Sequence, residues 1–215
     1  MSLRVIVYVE GASDKLAMYA LLRPLIETKR QAGISIDFVE APAGDKKKSV
    51  LTKVPRRAAS IVANDPNAIV VAMPDLYPKN KAFPHETAEQ LVAGVRNAFT
   101  QSLTLKTGGM VASHQDRFKV FCFKHDMEAL ILASEENLQS RLQTRNLKRE
   151  WRLPVEDQNH DFPPKRIAER LFQRSNKRYK DTVDAPVILA SSDYGTVAER
   201  CPQCFRPFVE FLKRS

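Results

Sequence analysis

Four acidic residues stand where strand-like runs end. Glu10 closes the run LRVIVYVE, Asp75 follows AIVVAMP, and Asp126 and Glu128 follow RFKVFCFKH. In an open parallel sheet, ligands bind beyond the carboxyl ends of the strands. These carboxylates therefore come from strand ends that one sheet edge can gather. Close carboxylates repel one another unless a cation neutralises them. Hard oxygen ligands with open water positions suit Mg²⁺ or Mn²⁺. A metal there would polarise a phosphoryl oxygen and orient or activate a water. The chemistry to expect is metal-dependent phosphodiester hydrolysis, with Glu10, Asp75 and Glu128 as the core set and Asp126 as a further ligand. Gly11, directly after Glu10, would let a backbone or phosphate approach closely. The competing reading is that strand-end acids cap helices or face solvent, and Asp14 and Asp126 fit first-turn helix positions. His125 suits a ligand, a proton shuttle or a plain helix-start residue.

Positive charge accompanies the acids. Lys46, Lys47 and Lys48 fall in the polar stretch after the second strand-like run, on the edge where the acids are expected, and can steer or clamp phosphates. A solvated loop is the plainer explanation of such a triplet. The net charge is +9, and residues 139–180 hold twelve Lys or Arg against five Asp or Glu. Within that stretch Lys177, Arg178 and Lys180 are candidate phosphate contacts. A basic face beside an acidic pocket suits a polyanion such as nucleic acid; a solvated helix surface is the alternative. Three cysteines make no disulfide framework, and the Cys201–Cys204 pair lacks the second pair a zinc site needs. His85, His114 and His160 have no ligand spacing, and Trp151 reads as a packing residue.

The elements that must position these groups alternate. Leu3–Val9, Ile34–Glu40, Ala68–Met73 and Arg117–Phe123 read as strands, and the unbroken apolar third run suits a strand covered on both faces. Between and after them, helices are predicted over Asp14–Ile26, Val50–Ala63, Glu86–Thr100 and Met127–Ala133. Ser13 is the expected N-cap of the first helix, and Pro24 its kink or end. Such alternation predicts an α/β fold: an open, mainly parallel four-stranded sheet flanked by helices. After Ser134 helices dominate, at Glu135–Asn146, Pro164–Arg174 and Thr196–Arg214, with Pro186–Ala190 a weak strand candidate. The expectation is an α/β core over 1–134 with a helical extension over 135–215 packed on it, one compact domain. No run is long enough to span a membrane, and the N-terminus lacks the apolar stretch of a secretory signal, so a cytoplasmic location is expected.

The matching stretches VEGASDK, MPDLYP, KHDMEALIL, PPKRIAERLF, RYKDTVDAP and RCPQCFRPFVEFL resemble a bacterial domain-of-unknown-function family, family 4276, related to TOPRIM domains. The resemblance runs from Val9 to the C-terminal helix. It implies a Mg²⁺-holding Glu at Glu10, a first acid at Asp75, and a histidine and acid at His125 and Glu128. It also implies a nuclease-type hydrolase, in a bacterial defence or mobile-element setting, beside an ATPase partner. The TOPRIM Asp-x-Asp reads Asp75-Leu76-Tyr77 here, so Tyr77 stands where a second acid is usual. That departure leaves open a module that binds nucleic acid or an ATPase without turnover.

Overall fold

The computed structural model describes residues 3–81, 84–108, 112–144, 146–159 and 161–215, so His160 lies outside the described residues. The chain divides into two compact units, one of Met1–Gly11 and Leu25–Cys122, the other of Ala12–Pro24 and Phe123–Ser215.

The first unit holds a four-stranded, all-parallel sheet in the order β2-β1-β3-β4. β1 is Leu3–Val9, β2 Ile34–Glu40, β3 Ala68–Ala72 and β4 Phe118–Val120. β1 is central because every residue from Val5 to Val9 is buried, on both faces of the strand. Val7 pairs with Phe38 on one side and Val71 on the other. The α/β expectation therefore holds, and the bounds of β1 and β2 match the apolar runs. β4 is shorter than its run, since only Phe118–Val120 pair with Val70–Ala72.

Two helices cover one face of the sheet. α2 (Lys46–Asn64) and α3 (Ala88–Thr107) bury Val50, Leu51, Val54, Ala58, Val62, Leu91, Val95, Phe99 and Leu103 against Ile6, Tyr8, Val70 and Phe118. Phe99 stacks on Phe118 with ring centroids 4.4 Å apart. Emptying that position removes a whole aromatic packing partner. Phe99→Ala is expected to cost about 3–5 kcal/mol of unfolding free energy; a urea midpoint within error of the parent would contradict this packing.

Local chemistry sets the helix ends. Asp45 caps α2, its Oδ1 accepting the Lys48 N–H at 2.7 Å. Lys46, Lys47 and Lys48 are thus the first turn of a helix and not a loop, a correction to the sequence reading. Pro55 is carried inside α2 because the buried face around it holds the helix together. α1 (Ala12–Gln31) likewise runs through Pro24, with Leu21, Leu22 and Leu25 all buried. Ser13 lies inside α1 and its hydroxyl donates to Asp14 Oδ1 at 3.4 Å, so it is not the N-cap. Thr87 caps α3 by accepting the Gln90 N–H. A short α4 (Ala112–Gln115) precedes β4.

The second unit is helical: α5 (Glu128–Ala133), α6 (Glu135–Leu142), α7 (Pro164–Arg174), α8 (Asp181–Ala190), α9 (Tyr194–Arg200) and α10 (Phe205–Arg214). The weak strand candidate Pro186–Ala190 is the end of α8. Its apolar run splits by face, with Ile188 and Leu189 buried and Val183 and Val187 exposed, which is helical spacing. The single helix expected over Thr196–Arg214 is two, because Pro202 has no N–H to continue α9. Glu156, buried, starts α10 instead. Its carboxylate accepts N–H bonds from Gln203 and Cys204 at 2.7 Å each and from Phe205 at 3.3 Å. Trp151 is buried, as a packing residue should be. Among the described residues no helix is long and apolar enough to cross a membrane.

Candidate functional site

In the first unit Glu10 follows the last residue of β1, and Asp75 lies just beyond neighbouring β3. The chain beyond β3 stays tied to β1, since the Met73 N–H donates to Tyr8 O at 2.9 Å. The Asp75 N–H then donates to Glu10 Oε1 at 3.2 Å. Two acids 65 residues apart in sequence are thereby fixed at one end of the sheet. Parallel pairing places them there, because all strands point their carboxyl ends the same way.

The first turn of α2 brings two lysines to this edge. Lys46 Nζ lies 2.9 Å from where a Cβ on Gly11 would stand. Glycine at position 11 therefore leaves room for a cationic side chain beside Glu10. Lys47 is 8% exposed, and its ammonium donates to Pro78 O. Burial pulls the Lys47 pKa down, while the charges of Glu10, Asp75, Cys122 and Asp45 work to hold the proton on. Sequence patterning missed this residue's buried position, because a Lys in a polar triplet gives no local sign that its stem will be covered. Lys48 remains exposed.

The second unit holds its own carboxylate pair. Asp126 is pushed up to about 8, first by burial and then by the charge of Glu128. Two carboxyl groups buried beside one another do not readily ionise together. Glu128 is also raised, chiefly by burial. The Tyr179 hydroxyl donates to Glu128 Oε1 at 3.0 Å, and burial together with that carboxylate raises the phenol's own pKa. The Lys165 N–H donates to Asp126 Oδ1 at 3.2 Å. The Lys165 ammonium, opposed by burial, is held charged by Glu128, Asp181 and Asp126. Tyr179 was not singled out by sequence reasoning; it joins Glu128 across 51 residues.

The remaining candidates are placed as follows. His125 is buried, and its Nε2 lies 3.0 Å from Gln158 O, a backbone anchor. Lys177 Nζ donates to Arg141 O at 2.8 Å, whereas Arg178 and Lys180 are exposed. Much of the basic stretch is matched inside its own unit. Arg141 pairs with Asp184, Arg149 with Glu135, Arg170 and Arg174 with Glu150, and Lys165 with Asp181. Cys201 and Cys204 are buried, and burial pushes the Cys204 thiol up to about 12, so neither has the lowered pKa of a reactive thiol.

Mg²⁺ is commonly held by one or two carboxylates, the rest of its shell being water and phosphate oxygen. Glu10 and Asp75 are a donor pair of that kind. Among the described residues no group of three or more His, Cys, Asp or Glu is placed to hold a metal ion.

Two solved structures are similar over nearly the whole chain. The C-terminal region of the Burkholderia pseudomallei OLD protein is 15% identical, with a TM-score of 0.49, covering 100% of this chain and 98% of that one. The C-terminal region of the Xanthomonas campestris pv. campestris OLD protein is also 15% identical, with a TM-score of 0.46, covering 99% and 97%. No curated protein matches. Residues 9–213 match the family described as Domain of unknown function (DUF4276), and the chain belongs to that family.

Proposed function

We propose that the chain acts on the phosphodiester backbone of nucleic acid at the Glu10–Asp75 end of its sheet, as a hydrolase of nuclease type. The observation that carries this reading is the Asp75 N–H on Glu10 Oε1, which ties the Glu10 carboxylate to the chain at Asp75, with Lys46 and Lys47 nearby. Glu10 and Asp75 would hold Mg²⁺ or Mn²⁺. When bound, the ion supplies polarisation of a phosphoryl oxygen and a more acidic water. The chain's own residues do the positioning. The Asp75 N–H orients the Glu10 carboxylate, and Gly11 keeps the approach open for Lys46. Lys46, exposed, would meet a phosphate, while Lys47 offsets carboxylate charge from a buried position.

Glu128, expected from the sequence as a core ligand, and Asp126, expected as a further one, are both held toward the protonated form by burial, and any metal would have to displace those protons. Glu10→Gln and Asp75→Asn test the reading: each is expected to lower Mn²⁺-dependent cleavage of DNA or RNA by about 10²–10³-fold in a folded protein. Unchanged cleavage in both variants would sink it.

Two observations favour a second reading, a nucleic-acid- or ATPase-binding module without turnover. Tyr77 stands at the second acid position, and Lys47 already sets a positive charge against Glu10 and Asp75. Its signature is salt-sensitive binding with no metal dependence and no products. Co-purification from the native host tests the ATPase partner.

A further inference from the structure

Between α2 and α3, within the first unit, lies a groove of about 980 Å³. Lys53, Arg56 and Arg57 line it from α2, and Gln101, Ser102 and Lys106 from α3. Among the described residues no carboxylate lines it. The whole of α2 carries six Lys or Arg and no Asp or Glu. This differs from the basic stretch of the second unit, where carboxylates answer Arg141, Arg149, Arg170 and Arg174. Lys53 is pinned to Ala43 O at 2.6 Å, and Arg57 lies over the Tyr8 ring at 5.9 Å. Among the described residues neither Arg56 nor Lys106 has a carboxylate partner. Leu105, 88% exposed, adds an apolar contact at the same place.

We propose that the α2/α3 groove is a second nucleic-acid contact, gripping backbone phosphates on the strand that enters the Glu10–Asp75 site; this rests on the function proposed above. α2 is the physical link. Its first turn holds Lys46 and Lys47 at the carboxylates, and its middle turns hold the groove cations. Nine residues of helix separate Lys47 from Arg56, about 14 Å at 1.5 Å per residue. That is about four steps along a duplex strand at 3.4 Å each. Cations strung along α2, with Gln101 and Lys106 lining the groove from α3, match a chain of phosphates. An acidic protein segment would gain the charge contacts but has no evident use for the continuity with the carboxylates.

The test reads binding with EDTA present, so cleavage does not enter. A fluorescein-labelled 24-nucleotide DNA, single-stranded and duplex, is titrated by anisotropy across a salt series. Arg56→Gln/Lys106→Gln is expected to weaken binding about 10-fold or more near 0.1 M salt. The slope of log affinity against log salt should flatten by about 1.4 for single strands or 1.8 for duplex, two phosphate contacts' worth. Leu105→Glu, which removes no cation and touches an exposed site, should weaken binding in the same direction. Arg30→Gln/Lys213→Gln, the charge-matched control, should leave the slope unchanged. Unaltered binding in both groove variants would overturn the proposal. So would polyglutamate displacing the DNA at equal charge from the parent but not from the groove variants, which would assign the groove to an acidic protein. Normal cleavage in Glu10→Gln would remove the proposed function without altering the binding result, so the two failures are distinguishable.

Discussion

Glu10→Gln is expected to lower Mn²⁺-dependent phosphodiester cleavage by about 10²–10³-fold, and Asp75→Asn by a similar factor. Losing one carboxylate from a two-carboxylate ion site removes several kcal/mol of charge stabilisation, and each 1.36 kcal/mol is tenfold in rate. Both changes keep shape. A glutamine Oε1 still accepts the Asp75 N–H that Glu10 accepts at 3.2 Å, so the strand-end geometry survives. Buried Lys47 loses one of the charges that hold its proton on, and a cost of about 1–3 kcal/mol in stability follows. Far-UV circular dichroism and a thermal melt would separate that cost from the loss of activity. Cleavage at the parent rate in a folded Glu10→Gln protein would contradict the assignment.

The second large effect is on stability against pH. An unfolded Asp releases its proton near 3.8, whereas folded Asp126 keeps its proton up to about 8. Between those values the folded state binds more protons than the unfolded one, so unfolding free energy falls as pH rises. The contribution is fully present below about pH 4 and is lost by about pH 8. Glu128 is shifted in the same direction and deepens the fall. A drop on the order of 2–4 kcal/mol is expected across that range. Asp126→Asn imitates the protonated acid: its amide can donate to Glu128 while its oxygen accepts the Lys165 N–H. The variant should therefore lose at most half as much stability as the parent. Urea midpoints at about pH 5 and pH 8 decide it, and equal pH slopes in parent and variant would refute the raised Asp126 pKa.

The strands were the legible part of this chain. β1 and β2 are β-branched runs closed by Glu10 and Glu40, and nothing in their neighbourhoods competes with extended pairing. Helix ends were less legible, because tertiary burial overrides local signals. Pro24 and Pro55 usually stop a helix, yet each sits inside one held by a buried apolar face. Lys46–Lys48 read as a solvated loop until Asp45 is seen capping them. PVILA suits a strand by composition and becomes helix because only alternate faces are buried.

The site followed the same rule. Glu10 and Asp75 could be named because strand ends are visible in the sequence and parallel sheets gather them. Lys47 could not, since its burial depends on Pro78, 31 residues away. The Tyr179–Glu128 bond likewise joins segments that share no local pattern. The basic stretch at 139–180 was legible as charge but not as paired charge. α2, with fewer cations, offers the groove without carboxylates.

The central claim is that Glu10 and Asp75 together hold a divalent ion. Mn²⁺ titration of the intact chain, followed by electron paramagnetic resonance of the free ion, measures this without requiring turnover. The expected result is about one ion per chain, with affinity lowered at least about 10-fold in Glu10→Gln/Asp75→Asn. Asp126→Asn/Glu128→Gln, titrated alongside, reports whether the second carboxylate pair takes part. Mn²⁺ bound equally well by the parent and by Glu10→Gln/Asp75→Asn would contradict the claim.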